Sequence, residues 1–209
     1  MIGSESSHTG ASLTERQKRL KKTLDRPLSE KAAYHPDIGS DVYKVSFDDY
    51  TVYVNDTRYA YIDIESTEII SGMEKVLYDL ELAGYYPVIM YPELAEVLLS
   101  HETPLYRLVR KGCLGMVSTA SIAGRSRSKT QMVAMNMIRG NLAHFLHSPS
   151  GDKKELEAAY AKVESKIGKE TAASLRDNRG RVLADDHVEV DLPDKIDYMK
   201  KRKWRWFGT

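Results

Sequence analysis

The side chains equipped for chemistry are few and lie at scattered points of the chain. Glu93 sits within Tyr91-Pro92-Glu93-Leu94, His147 opens His147-Ser148-Pro149-Ser150-Gly151, and Asp41 follows Gly39-Ser40. Carboxylates and imidazoles are the groups that exchange protons near neutral pH or ligate a divalent cation. Asp41, Glu93 and His147 are therefore the candidate catalytic residues, and Asp41 is the candidate metal ligand. Arg125 and Arg127 flank Ser126 a little way past Ser121. A forked guanidinium beside helix N–H groups grips phosphate, so Arg125, Arg127 and Ser121 make a candidate phosphate site. A lone strand-end histidine such as His147 more often makes a hydrogen bond than ligates. His144 falls inside a strand pattern, which favours a structural role, and His8, His35, His101 and His187 have no partner at ligand spacing.

A second kind of chemistry belongs to the last residues. Lys200, Lys201, Arg202, Lys203, Trp204, Arg205, Trp206 and Phe207 combine cations with large aromatics. Basic side chains gain about 1 kcal/mol each beside an anionic leaflet, and Trp favours the interface. The tail therefore reads as a membrane-surface or partner-docking segment.

The elements that must position these residues follow from periodicity. Residues 41–47 alternate and read as a strand, with Asn55-Asp56 as turn chemistry before a second strand at 59–64. Apolar residues recur at helical spacing over 67–83, and Gly84 stands at the C′ position. Strands at 86–91, 113–118 and 142–147 then alternate with helices at 104–111, 127–139, 153–166 and 169–176, and from Arg179 the chain reads as polar and irregular. A basic helix is expected over 15–24. Strands beginning near 59, 86, 113 and 142, with helices between, give the βαβ rhythm of a parallel sheet or barrel, whose ligand sites lie at the C-terminal strand ends.

Composition sets outer bounds. A chain of 209 residues makes one domain with tails, here a tail and basic helix over 1–37, an α/β domain over 38–178 and a basic aromatic tail over 179–209. A net formal charge of +1 gives no case for nucleic-acid binding. The single cysteine, Cys113, excludes an internal disulfide and fits a reducing cytoplasm. No run of about 18 apolar residues is present, and residues 1–11 carry no apolar signal region.

Several segments together resemble a known family. They are Asn55-Asp56-Thr57-Arg58-Tyr59, Leu77-Tyr78-Asp79-Leu80-Glu81-Leu82-Ala83-Gly84-Tyr85 and Pro87-Val88-Ile89-Met90-Tyr91-Pro92-Glu93. After them come Leu108-Val109-Arg110-Lys111-Gly112, Ser118-Thr119-Ala120-Ser121-Ile122-Ala123-Gly124 and Leu142-Ala143-His144-Phe145-Leu146-His147-Ser148. In order and spacing, over residues 38–176, this set resembles the PHP-class (polymerase and histidinol phosphatase-like) protein tyrosine phosphatases of bacterial capsule and exopolysaccharide operons. The resemblance implies a partial or distorted (β/α) barrel with mostly parallel strands, and a cluster of divalent metal ions, often manganese. It also implies hydrolysis of phosphotyrosine on a tyrosine kinase or polysaccharide co-polymerase tail, and the basic aromatic tail adds the expectation of a cytoplasmic protein peripheral at the inner face of the membrane.

The departures from that family concentrate at the metal ligands. The opening His-x-His strand and the second histidine motif have no counterpart. Gly-Gln-Glu reads Gly39-Ser40-Asp41, His-Pro-Glu-Arg reads Tyr91-Pro92-Glu93-Leu94, and Asp-Ala-His reads Pro149-Ser150-Gly151. Asp41 is shorter than Glu by about one C–C bond, whereas ligand distances hold to about 0.2 Å. The expectation is thus a degenerate phosphatase that binds or regulates a kinase system, with no cofactor assured. An active phosphatase built on Asp41, Glu93 and His147 is the alternative. A remnant is a further one, with an open sheet edge near 41–47 or 59–64 that invites homo-oligomer formation.

Overall fold

The computed structural model describes residues 30–31, 43–46, 50–64, 73–99, 104–123 and 128–195. The expected basic helix, Asp41, Arg125, Arg127 and the residues from Lys200 to Phe207 lie outside them.

Among the described residues the sheet has seven strands in sequence order. They are β1 (Glu30–Lys31), β2 (Tyr43–Ser46), β3 (Tyr50–Val54), β4 (Tyr59–Ile64), β5 (Tyr86–Met90), β6 (Leu114–Ser118) and β7 (Phe145–His147). Strands β1 to β4 pair antiparallel and β4 to β7 pair parallel. The expected parallel run is therefore the second half of a mixed sheet. Connection length explains the split. The links from β2 to β3 and from β3 to β4 are short enough for hairpins only, whereas each later link carries a helix, and parallel pairing needs such a crossover. Among the described residues no pairing joins β7 back to β1, so barrel closure is not seen.

Strand β3 corrects the sequence reading, which passed from 41–47 directly to 59–64. Tyr50-Thr51-Val52-Tyr53-Val54 is rich in β-branched and aromatic residues and alternates as a strand does. Asn55-Asp56 does make a turn: the Asn55 side-chain oxygen accepts from the Thr57 N–H (2.9 Å) and hydroxyl (2.6 Å). With β3 in place, 59–64 is an interior strand paired on both sides, not an open edge.

The helices follow the apolar spacing. They are α1 (Met73–Leu82), α2 (Pro104–Arg110), α3 (Thr119–Ala123), α4 (Ser128–Arg139), α5 (Lys153–Lys166) and α6 (Lys169–Leu183). Met73, Leu77 and Leu80 of α1 face the core, and Gly84 ends the helix at φ 87°, where a side chain would be strained. Helix α6 runs past the expected end at 176. Its second half, Asp177-Asn178-Arg179-Gly180, looks like a loop in sequence. Tertiary contacts hold it helical: Asn178 donates to the His144 carbonyl (2.9 Å) and Val182 is buried, while Arg181 pairs with Asp177 (2.7 Å) one turn away on the helix itself. The same Asn178 bond gives α6 a hold beside the outer edge of β7.

The strands are buried on both faces. Ala60, Ile62, Ile89, Val117 and Leu146 point into the main core beneath the helices. Tyr59, Tyr61, Val88, Met90, Leu114, Met116 and Phe145 form a second cluster on the opposite face, closed by Val182 and Val188. The chain reaches that position by turning at Asp185 (φ 58°) and recrossing the sheet as an irregular strap over 184–195. Asp185 accepts from the Arg58 N–H (2.6 Å) and side chain, Tyr59 donates to the Asp186 carbonyl (2.5 Å), and His187 packs on the Tyr86 ring at 5.4 Å. No helix among the described residues is long and apolar enough to cross a membrane.

Candidate functional site

The C-terminal ends of β5, β6 and β7 gather the described candidates. Strand β5 stops at Met90, and Tyr91 then adopts φ 47°, a conformation that side chains other than Gly, Asn and Asp rarely take. Two backbone bonds hold it there: Tyr91 N–H donates to Met116 (2.8 Å), and Leu94 N–H returns to the Tyr91 carbonyl (2.8 Å). The turn sends the Tyr91 ring outward along the strand tips and folds Glu93 inward.

Tyr91 and His147 meet, although strand β6 lies between theirs in the sheet. The phenol oxygen lies 2.5 Å from His147 Nδ1, with the rings 5.7 Å apart. Glu93 is 3% exposed, and its Oε1 accepts from the Ser118 N–H (2.9 Å). Burial pushes the Glu93 carboxyl up to about 7, against the Ser118 N–H and the Ser121 hydroxyl, which favour the ionised form. Glu93 Oε2 and Thr119 Oγ1 are buried with no hydrogen-bond partner. Ser121, expected at a phosphate site, is buried in α3.

The loop after His147 is occupied by helix capping. Asp152 accepts from the Lys154 N–H (2.8 Å) and caps α5. Ser148 and Ser150 both accept from the Asp152 N–H (3.2 and 3.3 Å), and Ser150 donates to Glu155 (3.1 Å). Pro149-Ser150-Gly151, with Gly151 at φ 68°, thus shapes a helix start.

A divalent ion needs several well-placed oxygen or nitrogen donors. His147 Nδ1 is engaged by Tyr91 and one Glu93 oxygen by Ser118. Among the described residues no group of three or more His, Cys, Asp or Glu side chains is placed to hold a metal ion. The described strand tips do not fit such an ion.

Sequence reasoning placed Glu93, Ser121 and His147 at strand ends, and the structure does bring Glu93 and His147 to one edge. It took Tyr91 only as a departure from the family's His-Pro-Glu-Arg and missed its bond to His147. That bond depends on the left-handed turn, which no residue-type rule announces. His144, expected to be structural, is buried: its Nδ1 accepts from the Gly115 N–H (2.9 Å), and burial holds its basicity down at about 4, the Asn141 backbone offsetting this only in part.

Comparison with known proteins adds the following. The family profile described as "Capsular polysaccharide synthesis, CpsB/CapC" matches residues 7–184. The putative tyrosine-protein phosphatase CapC of Staphylococcus aureus is 28% identical over 159 residues, covering 74% of this chain and 61% of that protein. The tyrosine-protein phosphatase YwqE of Bacillus subtilis (strain 168) is 29% identical over 155 residues, covering 72% and 59%. A structure from work on YwqE and on CpsB of Streptococcus pneumoniae, described as unique metal-dependent tyrosine phosphatases, superposes with a TM-score of 0.64 at 27% identity. It covers 68% of this chain and 60% of its own. The chain spans about six-tenths of the length of these relatives.

Proposed function

The chain belongs to the CpsB/CapC family of capsular polysaccharide synthesis, and on that premise we propose that it binds a phosphotyrosine-bearing partner without hydrolysing it. The family is one of capsule-linked, metal-dependent tyrosine phosphatases. The partner is the phosphotyrosine-bearing tail of a tyrosine kinase or polysaccharide co-polymerase, met at the cytoplasmic face of the membrane. Arg125 and Arg127 hold the phosphate, and the basic aromatic tail adds membrane or kinase contact.

The observation that carries this reading is the internal use of the strand-tip donors. Tyr91 takes His147, Ser118 takes Glu93, and Ser148 and Ser150 take the N–H of Asp152, the cap of α5. Metal-assisted hydrolysis needs such donors turned toward an ion and a water. Metal analysis of the purified chain together with phosphotyrosine-peptide assays tests the reading. Peptide binding with no turnover and no retained metal is expected; stoichiometric manganese with turnover would falsify it.

One observation favours an active enzyme instead. A buried carboxyl titrating at about 7 is poised to carry a proton at neutral pH. On that reading Asp41, Glu93 and His147 form the working site. Changing Asp41 and His147 together to Ala then abolishes any turnover found, and undiminished turnover rules this site out.

A further inference from the structure

A polar cleft of about 630 Å³ lies at the other end of β7, away from Tyr91 and His147. Its walls come from the turn after α4, from α6 and from the strap. Glu170, Asp177, Glu189 and Asp191 line it. Among the described lining residues the one arginine or lysine is Arg181, which is already bonded to Asp177 at 2.7 Å. The volume suits an extended peptide segment or small ligand, and the charge asks for a cation.

A second observation points the same way. His144 also lines the cleft and is 4% exposed. Its Nδ1 accepts from Gly115, so Nε2 bears the hydrogen, and Nε2 has no hydrogen-bond partner. This leaves an unpaired N–H buried just beneath the cleft wall.

The chain delivers a suitable segment to this place. The Asn141 side chain, on the cleft wall, donates to the Leu192 carbonyl (3.4 Å), and Asp194 N–H donates to Gly140 (2.9 Å). The strap therefore leaves from the rim. Lys200, Lys201, Arg202, Lys203 and Arg205 follow within a few residues, a distance of about 17 Å when extended, enough to turn back. We infer that the basic segment 200–205 docks in this acidic cleft of its own chain, so that the tail is withheld from other anionic surfaces. A short tether makes even a weak contact effective, at millimolar effective concentration. Exposed charges make it sensitive to salt.

The chain's two tryptophans, Trp204 and Trp206, both lie in the tail, so tryptophan fluorescence excited beyond the tyrosine absorption band reports on it alone. Acrylamide quenching at low salt is expected to be at least about threefold slower than for a synthetic peptide of residues 196–209. Salt at about 0.5 M, the triple change E170Q/E189Q/D191N, or the tail change K201E/R202E should each bring it to the peptide value. The tail change leaves every folded contact described above untouched, so its result does not depend on stability. The inference is overturned by peptide-like quenching at low salt, or by protection that survives the triple and tail changes. Protection lost on dilution, which marks docking into a second copy, or protection appearing only with anionic phospholipid vesicles also overturns it.

Discussion

At Glu93, burial and hydrogen bonding pull a proton in opposite directions, and burial is the larger effect. The folded carboxyl titrates at about 7, whereas an unfolded Glu titrates at ~4.3. The folded state thus holds a proton that the unfolded state has released. Stability contributed by Glu93 is full below pH ~4.3 and is lost as pH rises through about 7, at most on the order of 4 kcal/mol. Glu93→Gln keeps an acceptor for Ser118 and removes the titration. Urea melts of the variant should gain on wild type between pH ~4 and ~7, then run parallel above that. A constant difference across the range would show that folding leaves the Glu93 titration unshifted. Glu93 and His147 were legible as site candidates because both follow apolar strand runs. The Tyr91–His147 bond was not, since it rests on one residue held at φ 47°.

Among the elements, β6 makes the tightest approach to its neighbours. A Cβ on Gly115 would lie 2.1 Å from the Leu142 carbonyl oxygen, in the turn that leads into β7. Gly115 also donates to His144 Nδ1 and accepts from the His144 N–H (2.8 Å). Gly115→Ala must push the 142–144 backbone away and break both bonds, costing about 3 kcal/mol or more. Thermal melts would register this, and an unchanged Tm would mean that the turn yields freely. Most elements were legible because Leu, Val and Ile recur at strand or helix period over 59–166. Strand β3 escaped because Asp48-Asp49 and Asn55-Asp56 bracket it closely, so that five residues looked like part of a turn region. The end of α6 escaped for another reason. Its helical state depends on His144 and on the second sheet face, contacts that local pattern does not contain.

For the whole molecule, the strap over 184–195 is what finishes the second face of the sheet. Its anchor joins Arg58 to Asp185, 127 residues apart in sequence and each about one-third exposed. Asp185→Asn keeps a residue that tolerates positive φ and removes the charge that holds Arg58. Backbone amides of 184–194 should then exchange with solvent about tenfold faster in hydrogen-exchange mass spectrometry, while those of β4 to β6 stay protected. Equal exchange in both proteins would locate the anchor elsewhere. The strand order gives this arrangement a consequence for biosynthesis. Each strand pairs with its neighbour in sequence, so as the chain emerges from the ribosome every new strand finds its partner already made. Only the apolar face bearing Tyr59 and Tyr61 must wait for residues 182–188. During that interval the nascent chain presents an uncovered aromatic surface, and a pause or chaperone acting late in synthesis would meet the protein at its most adhesive.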